Sequence, residues 1–159
     1  MEAATVVESS TLLRWIPLVP LLGFIANVFL GQRVGRRAAG YLACVCVGIS
    51  LLLTLELWFQ LPDGGLFKDS LFSWIESGTF KVKIALTLDP LTWVMITIIT
   101  GIGLLIHVYS LGYMAEDNDM VRYFAYLNLF VFFMLLLVLA DNLLLFFVGW
   151  EGVGPSAGR

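Results

Sequence analysis

Charge is scarce in this chain. Only 13% of its 159 residues are Asp, Glu, Lys or Arg, where a soluble domain carries about 25%. The net charge of −3 is small and no basic cluster suits a phosphate backbone, so no nucleic-acid partner is expected. Cysteine is nearly absent, with only Cys44 and Cys46. Two apart on a helix, they point to different sides, can neither bridge locally nor share a metal, and are expected to pack quietly. There is no glycine-rich phosphate loop, no metal-spaced set of cysteines and histidines, and no nucleophile elbow, which removes the common soluble enzyme sites. Residues 1–14 lack the basic start and small-residue cleavage site of a secretory signal.

What remains is apolar. Hydrophobic residues make up 60% of the chain, the mean hydropathy is +0.93, and the charges fall in short stretches between long apolar runs. That is the composition of an all-α polytopic membrane protein whose first partner is the lipid bilayer. A polar tail, residues 1–14, precedes an apolar run from Trp15 to Leu30, with Pro17 and Pro20 in or near its first turn. Three arginines, Arg33, Arg36 and Arg37, follow closely. The Gly31…Gly35 spacing matches a helix-dimer motif, but the arginines place it outside the hydrocarbon, which argues against that reading. Ala38 to Leu61 is the second span, with Glu56 near its far end beside Trp58 and reaching toward the headgroups.

Pro62-Asp63-Gly64-Gly65 breaks the helix and opens an external segment, residues 62–88. Residues 79–88 alternate, with Phe80, Val82, Ile84, Leu86 and Leu88 on one face. Leu71–Ile75 is the expected partner strand of a small hairpin. Such a hairpin is marginal alone and must pack on the membrane domain or a neighbour. Asp89-Pro90 then supplies an N-cap acid and a proline at the first helical position. The third span runs from about Leu91 to Met114, with Gly101 and Gly103 as sites of close helix approach. The fourth runs from Tyr123 to Ala140, apolar apart from Asn128. Residues 15–61 and 89–140 thus hold four transmembrane helices. Residues 141–159 hold a truncated fifth, started by Asp141-Asn142 and expected to stop by Gly154 because Pro155 and Gly158 follow. Basic residues stay on the cytoplasmic or matrix side, which puts residues 31–37 inside and the N-terminus and hairpin outside.

Three groups can titrate at membrane depth: Glu56, His107 and Glu151. Glu151 follows the apolar run Leu143–Trp150 and is the candidate proton-translocating residue. A carboxylate in the bilayer persists when it faces a bundle interior, water or an opposite charge. A Glu–Lys pair in that setting is a switchable proton site, but no lysine or arginine lies in any predicted span. His107, in the third span, is a possible proton relay because histidine titrates near neutral pH. A neutral histidine bonded to a neighbouring helix is the plainer reading.

Three stretches carry a family resemblance: Leu105-Ile106-His107-Val108-Tyr109-Ser110, Phe124-Ala125-Tyr126-Leu127-Asn128-Leu129-Phe130, and Leu139 to Gly154 with its Gly-Trp-Glu-Gly-Val-Gly core. With Asp89-Pro90-Leu91, they resemble the N-terminal part of the L subunit of proton-pumping NADH:quinone oxidoreductase, respiratory complex I. The resemblance implies an antiporter-like membrane subunit in a bacterial or mitochondrial inner membrane, partnered by the other membrane subunits of complex I. It implies that Glu151 is the glutamate which in the family pairs with a lysine on helix seven. NADH, flavin, iron–sulfur clusters and quinone are then expected on other subunits, with no cofactor in this chain. The large subunits of multisubunit Na⁺/H⁺ antiporters share much of the pattern and are the competing reading. A non-transporting membrane fragment is the third. After Gly154 the chain departs from the family, and an incomplete reading of a longer gene is the expected cause.

Overall fold

The computed structural model describes residues 11–60, 65–77 and 80–157. Five helices and one hairpin follow in the order α1 (Leu12–Val34), α2 (Arg36–Gln60), β1 (Phe67–Ser77), β2 (Phe80–Leu88), α3 (Pro90–Tyr113), α4 (Met120–Leu139) and α5 (Leu143–Ala157). The first four helices are long and apolar enough to cross a membrane. At about 1.5 Å per residue, even the 20 residues of α4 reach about 30 Å, the thickness of the hydrocarbon core. Short connections join α1 to α2, α3 to α4 and α4 to α5, the hairpin lies between α2 and α3, and α4 lies at the centre, packed against α1, α2, α3 and α5.

Helix α1 starts at Leu12, earlier than its apolar run suggests, because the charge of Arg14 is matched. Arg14 Nε and Nη2 each donate to an Asp69 carboxylate oxygen at 2.9 Å. The last residues of the expected polar tail are therefore helical, and residues 1–10 lie outside the described residues. The earlier start also moves Pro17 and Pro20 out of the first turn and into the helix interior. A proline there leaves the carbonyl four residues back without its helical donor. For Pro20 that carbonyl belongs to Ile16, and the Ser50 hydroxyl of α2 donates to it at 2.7 Å.

Gly35, at φ 104°, joins α1 to α2 in a backbone region that side chains rarely adopt. Gly31 proves to be a helix contact after all, with Val121 of α4 filling the space a Cβ would need. The four-residue rhythm is Gly23, Asn27, Gly31, all buried on one face of α1. The motif pairs Gly31 with the residues before it, whereas Gly35 serves the turn. Gly103 lies in ordinary contact distance of Val131 and Val47, while Gly101 has open space beside it and is no close-approach site. Cys44 packs with Met120 and Phe124, and Cys46 lies against Gly23. Both are free and buried, on different sides of α2.

The hairpin pairs antiparallel from Phe67↔Leu88 to Ser77↔Phe80, with irregularities at Ser70/Phe72 and Ser73/Ile75. Leu86 and Leu88 are buried as the alternation requires, and Phe67 joins them in the core formed by Leu13, Ile16, Leu57, Ile96, Leu135 and Leu139. The strand is longer than residues 71–75, and its additional part carries the anchoring charges. Lys68 Nζ pairs with Asp141 Oδ2 at 2.8 Å, and the Asp141 backbone N–H donates to the Ala85 carbonyl at 3.1 Å. The hairpin thus caps the end of the bundle that holds the start of α1 and the α4–α5 turn. Trp93, stacked on Trp58 at 4.1 Å, donates its indole N–H to the Thr54 carbonyl at the same end.

Candidate functional site

The turn into α5 is built by Asn142, whose Oδ1 accepts the Leu145 N–H at 2.9 Å. A side-chain acceptor at this position satisfies an otherwise unpaired N–H of the first turn. Glycines then bring α5 onto α4. A Cβ on Gly149 would lie 2.8 Å from the Leu137 backbone, and one on Gly152 would overlap the Phe133 ring. Leu145 and Ser156 are buried on the same side, so positions 145, 149, 152 and 156 form the packed face. Glu151 lies off that face. It is exposed, and no ion pair to it forms among the described residues. It stands eight residues into the helix, about 12 Å along its axis, beside the exposed Trp150. Helix α5 continues through Pro155 to Ala157 rather than stopping at Gly154. Proline removes one backbone bond but does not forbid helical geometry after it. The Ser156 hydroxyl bonds back to the carbonyls of Gly152 and Val153, at 3.0 and 2.9 Å.

His107 is fully buried between α3 and α4. Its Nδ1 lies 2.7 Å from the Gly103 carbonyl, and its Nε2 lies 3.1 Å from Asn128 Oδ1. A carbonyl only accepts, so Nδ1 carries a proton. His107 therefore bonds both within α3, to Gly103, and across to Asn128 of α4. One turn away, the Ser110 and Tyr123 hydroxyls meet at 3.0 Å. Asn27, on α1, is also fully buried, and neither of its side-chain amide atoms has a protein partner among the described residues. It was not legible as a site residue, although an asparagine between Gly23 and Gly31 in an apolar run was the available signal. Glu56 is exposed and takes a 3.4 Å bond from Gln60 in the next turn, as a carboxylate reaching out of the bundle end would. His107 and Glu151 sit on different helices, α3 and α5, each packed on α4. Among the described residues no three His, Cys, Asp or Glu side chains gather as a metal site.

The comparisons with known proteins agree with this architecture. The family described as NADH-ubiquinone oxidoreductase (complex I), chain 5 N-terminus, matches residues 74–124. The NADH-quinone oxidoreductase subunit L of Rickettsia conorii is 40% identical over 140 residues, which cover 87% of this chain and 21% of that protein. Among solved structures, the membrane-bound sulfane sulfur reductase, an archaeal respiratory membrane complex, has a chain that matches with a TM-score of 0.75 at 22% identity. The match covers 92% of this chain and 22% of the other, and shows the shared fold. A chain of the Mrp complex from Dietzia sp. DQ12-45-1b matches with a TM-score of 0.71 at 29% identity, over 91% of this chain and 15% of that one. The chain thus spans about a fifth of the length of its subunit L relative. Its matched span includes the helix that carries His107, and the chain belongs to the antiporter-like family of subunit L and chain 5 of the NADH:quinone oxidoreductases.

Proposed function

We propose that this chain is the N-terminal part of an antiporter-like membrane subunit of NADH:quinone oxidoreductase, a complex that couples electron transfer from NADH to quinone to proton translocation. The observation that carries the reading is the placement of Glu151. The glycines of α5 spend one helix face on α4, and the carboxylate is left on another face, about 12 Å into the helix. A charge at such depth in a bilayer requires an opposite charge or water. None of the described basic residues supplies it, so the partner comes from another helix. In this reading Glu151 is the proton-handling group, and separation from or approach to a basic partner sets whether it holds a proton. His107 is a secondary relay candidate. NADH, flavin, iron–sulfur clusters and quinone belong to other subunits, and the arginine end faces the cytoplasm or matrix.

The test is Glu151→Gln in the assembled complex in native membranes. The expected result is retained assembly with most proton translocation lost. Unchanged pumping with the complex assembled would remove Glu151 from the proton path and favour a non-transporting role. The likeness to the Mrp complex chain keeps a second reading open, a subunit of a multisubunit Na⁺/H⁺ antiporter. Sodium-driven proton exchange that persists without NADH or quinone would favour that second reading.

A further inference from the structure

The polar groups that the Glu151 reading leaves unused are gathered on one side of the bundle. Asn128 Oδ1 meets His107 Nε2, while Asn128 Nδ2 has no protein partner among the described residues. That Nδ2 points at α1, where a Cβ on Gly23 would lie 2.5 Å from it. Asn27 sits one helical turn from Gly23 on the same face, with both amide atoms unpartnered. Residues one turn apart on a helix face are about 5–6 Å apart, the span a single water bridges.

The space beside Asn27 is a cavity of about 390 Å³, lined on α1 by Phe24, Asn27 and Gln32 and on α4 by Arg122, Ala125 and Tyr126. A second cavity of about 390 Å³ shares Gln32 and Arg122 with it and reaches Arg36, Asn118 and Asp119 at the arginine end. Arg36 holds Asn118 at 3.0 Å there, and Arg122 holds Asp119 at 3.6 Å. The two cavities meet at Gln32, Val121 and Arg122 and together reach from the arginine end to Asn27, with Phe24 and Val28 supplying apolar wall, and Asn128 lies one turn beyond, against Gly23. A water needs about 30 Å³ and two to four polar partners, and the two cavities offer both.

We propose that Gln32, Arg122 and Asn27 line a water-holding inlet that runs from the arginine end of the bundle toward the Asn128 amide, the group that holds His107. Its ligand is a short chain of ordered waters, joined to Asn27 and to the free edge of Asn128. The Asn128 amide is suited to this place because one edge accepts and the other donates. Turned one way it accepts from a protonated Nε2, and turned the other way it donates to a bare Nε2. In either orientation its remaining edge faces the waters beside Asn27. The inlet brings water to the Asn128 amide from the arginine side only, and the amide, which holds no labile proton, sets the hydrogen bond at Nε2 rather than carrying a proton to it. The inlet uses no part of the Glu151 site, so either proposal can fail while the other stands.

The test uses the whole chain in sealed membrane vesicles of known orientation, with Cys44 and Cys46 replaced by alanine. Asn27→Cys is treated with a charged, membrane-impermeant methanethiosulfonate. Labelling from the arginine side at least about ten times faster than the lipid-facing control Ile25→Cys supports the inlet, since a thiol in apolar surroundings stays protonated and inert. No labelling of Asn27→Cys while Gly35→Cys labels fully overturns it, and so does labelling from the hairpin side only. Hydroxyl-radical labelling of the unaltered chain does not depend on how the variants fold. Oxidation of Phe24 and Tyr126 well above that of Phe147 supports the inlet, and equal protection of all three overturns it.

Discussion

The Ser50 hydroxyl donates to the Ile16 carbonyl at 2.7 Å, the acceptor that Pro20 leaves without a helical N–H. Both groups are buried where α1 meets α2. An unpaired carbonyl at such a site costs about 1–3 kcal/mol. Ser50→Ala is therefore expected to lower stability by about that amount in reversible detergent unfolding. In a Pro20→Ala background the loss should shrink, because the substituted alanine brings its own backbone N–H to the Ile16 carbonyl. Equal losses in both backgrounds would show that the hydroxyl does not serve the proline's orphan.

Asp89 caps α3, its Oδ1 accepting the Thr92 N–H at 2.6 Å. The hydrogen bond from the Thr92 side chain is the main cause that holds the carboxyl below its ordinary value of 3.8. Partial burial opposes it, and the Thr92 backbone N–H adds to it. A carboxyl depressed in the folded state contributes stability above its unfolded value, and that contribution fades as pH falls through the folded one. Asp89→Ala is expected to cost about 1 kcal/mol at pH 7. The gap to the unaltered chain should narrow on acidification below 3.8, to the part that the neutral carboxyl keeps as an acceptor, read by unfolding at a series of pH values. Asp89→Asn keeps a capping acceptor and should change little at pH 7. A gap that widens in acid would mean the carboxylate is not the cap.

The parts legible in the sequence were those written locally. Each apolar run gave a helix, Asp89-Pro90 marked the start of α3, and the alternation of residues 79–88 gave β2 with Leu86 and Leu88 inward. The parts that were not legible depend on which neighbour arrives. Arg14 looks like a tail residue until Asp69, 55 positions on, takes its charge. Gly31 looks too close to the arginines to be a helix contact until Val121 is set against it. Pro155 looks like a stop, because the sequence has no sign that Ser156 will bond back to the turn before it. The same limit applies to Glu151, whose place off the packed face of α5 depends on the contacts of Gly149 and Gly152 with α4.

The α4–α5 contact makes a graded test possible. An alanine Cβ at Gly149 would press on the Leu137 backbone at 2.8 Å, which cannot swing aside as a side-chain tip can. Gly149→Ala is expected to cost about 1–3 kcal/mol by overpacking. Gly101, inside α3, has nothing within 4 Å and is not followed by proline. Gly101→Ala should be neutral or gain roughly 0.5–1 kcal/mol, since glycine is a poor residue inside a helix. The pair is read by thermal unfolding in one detergent. Equal effects of the two substitutions would mean that α5 does not pack on α4 through Gly149.

Membrane topology gives the last prediction. Gly35 joins α1 to α2 at the end that holds Arg33, Arg36 and Arg37. Phe80 lies in the hairpin, which Arg14 and Asp141 hold at the opposite end through Asp69 and Lys68. Helix α2, 25 residues long, separates the two ends by about 36 Å, more than the hydrocarbon thickness. Cysteines introduced at Gly35 and at Phe80 should therefore react with an impermeant reagent from opposite sides of a sealed vesicle. In the proposed orientation Gly35 faces the cytoplasmic or matrix side. The lysines of the hairpin segment, Lys68, Lys81 and Lys83, count against that assignment, because the rule weighs basic residues rather than net charge. Labelling of both cysteines from one side would break the four-span arrangement itself. Labelling from opposite sides with Gly35 outside would keep the arrangement and invert the chain in the membrane, and the proposed inlet would then open outward.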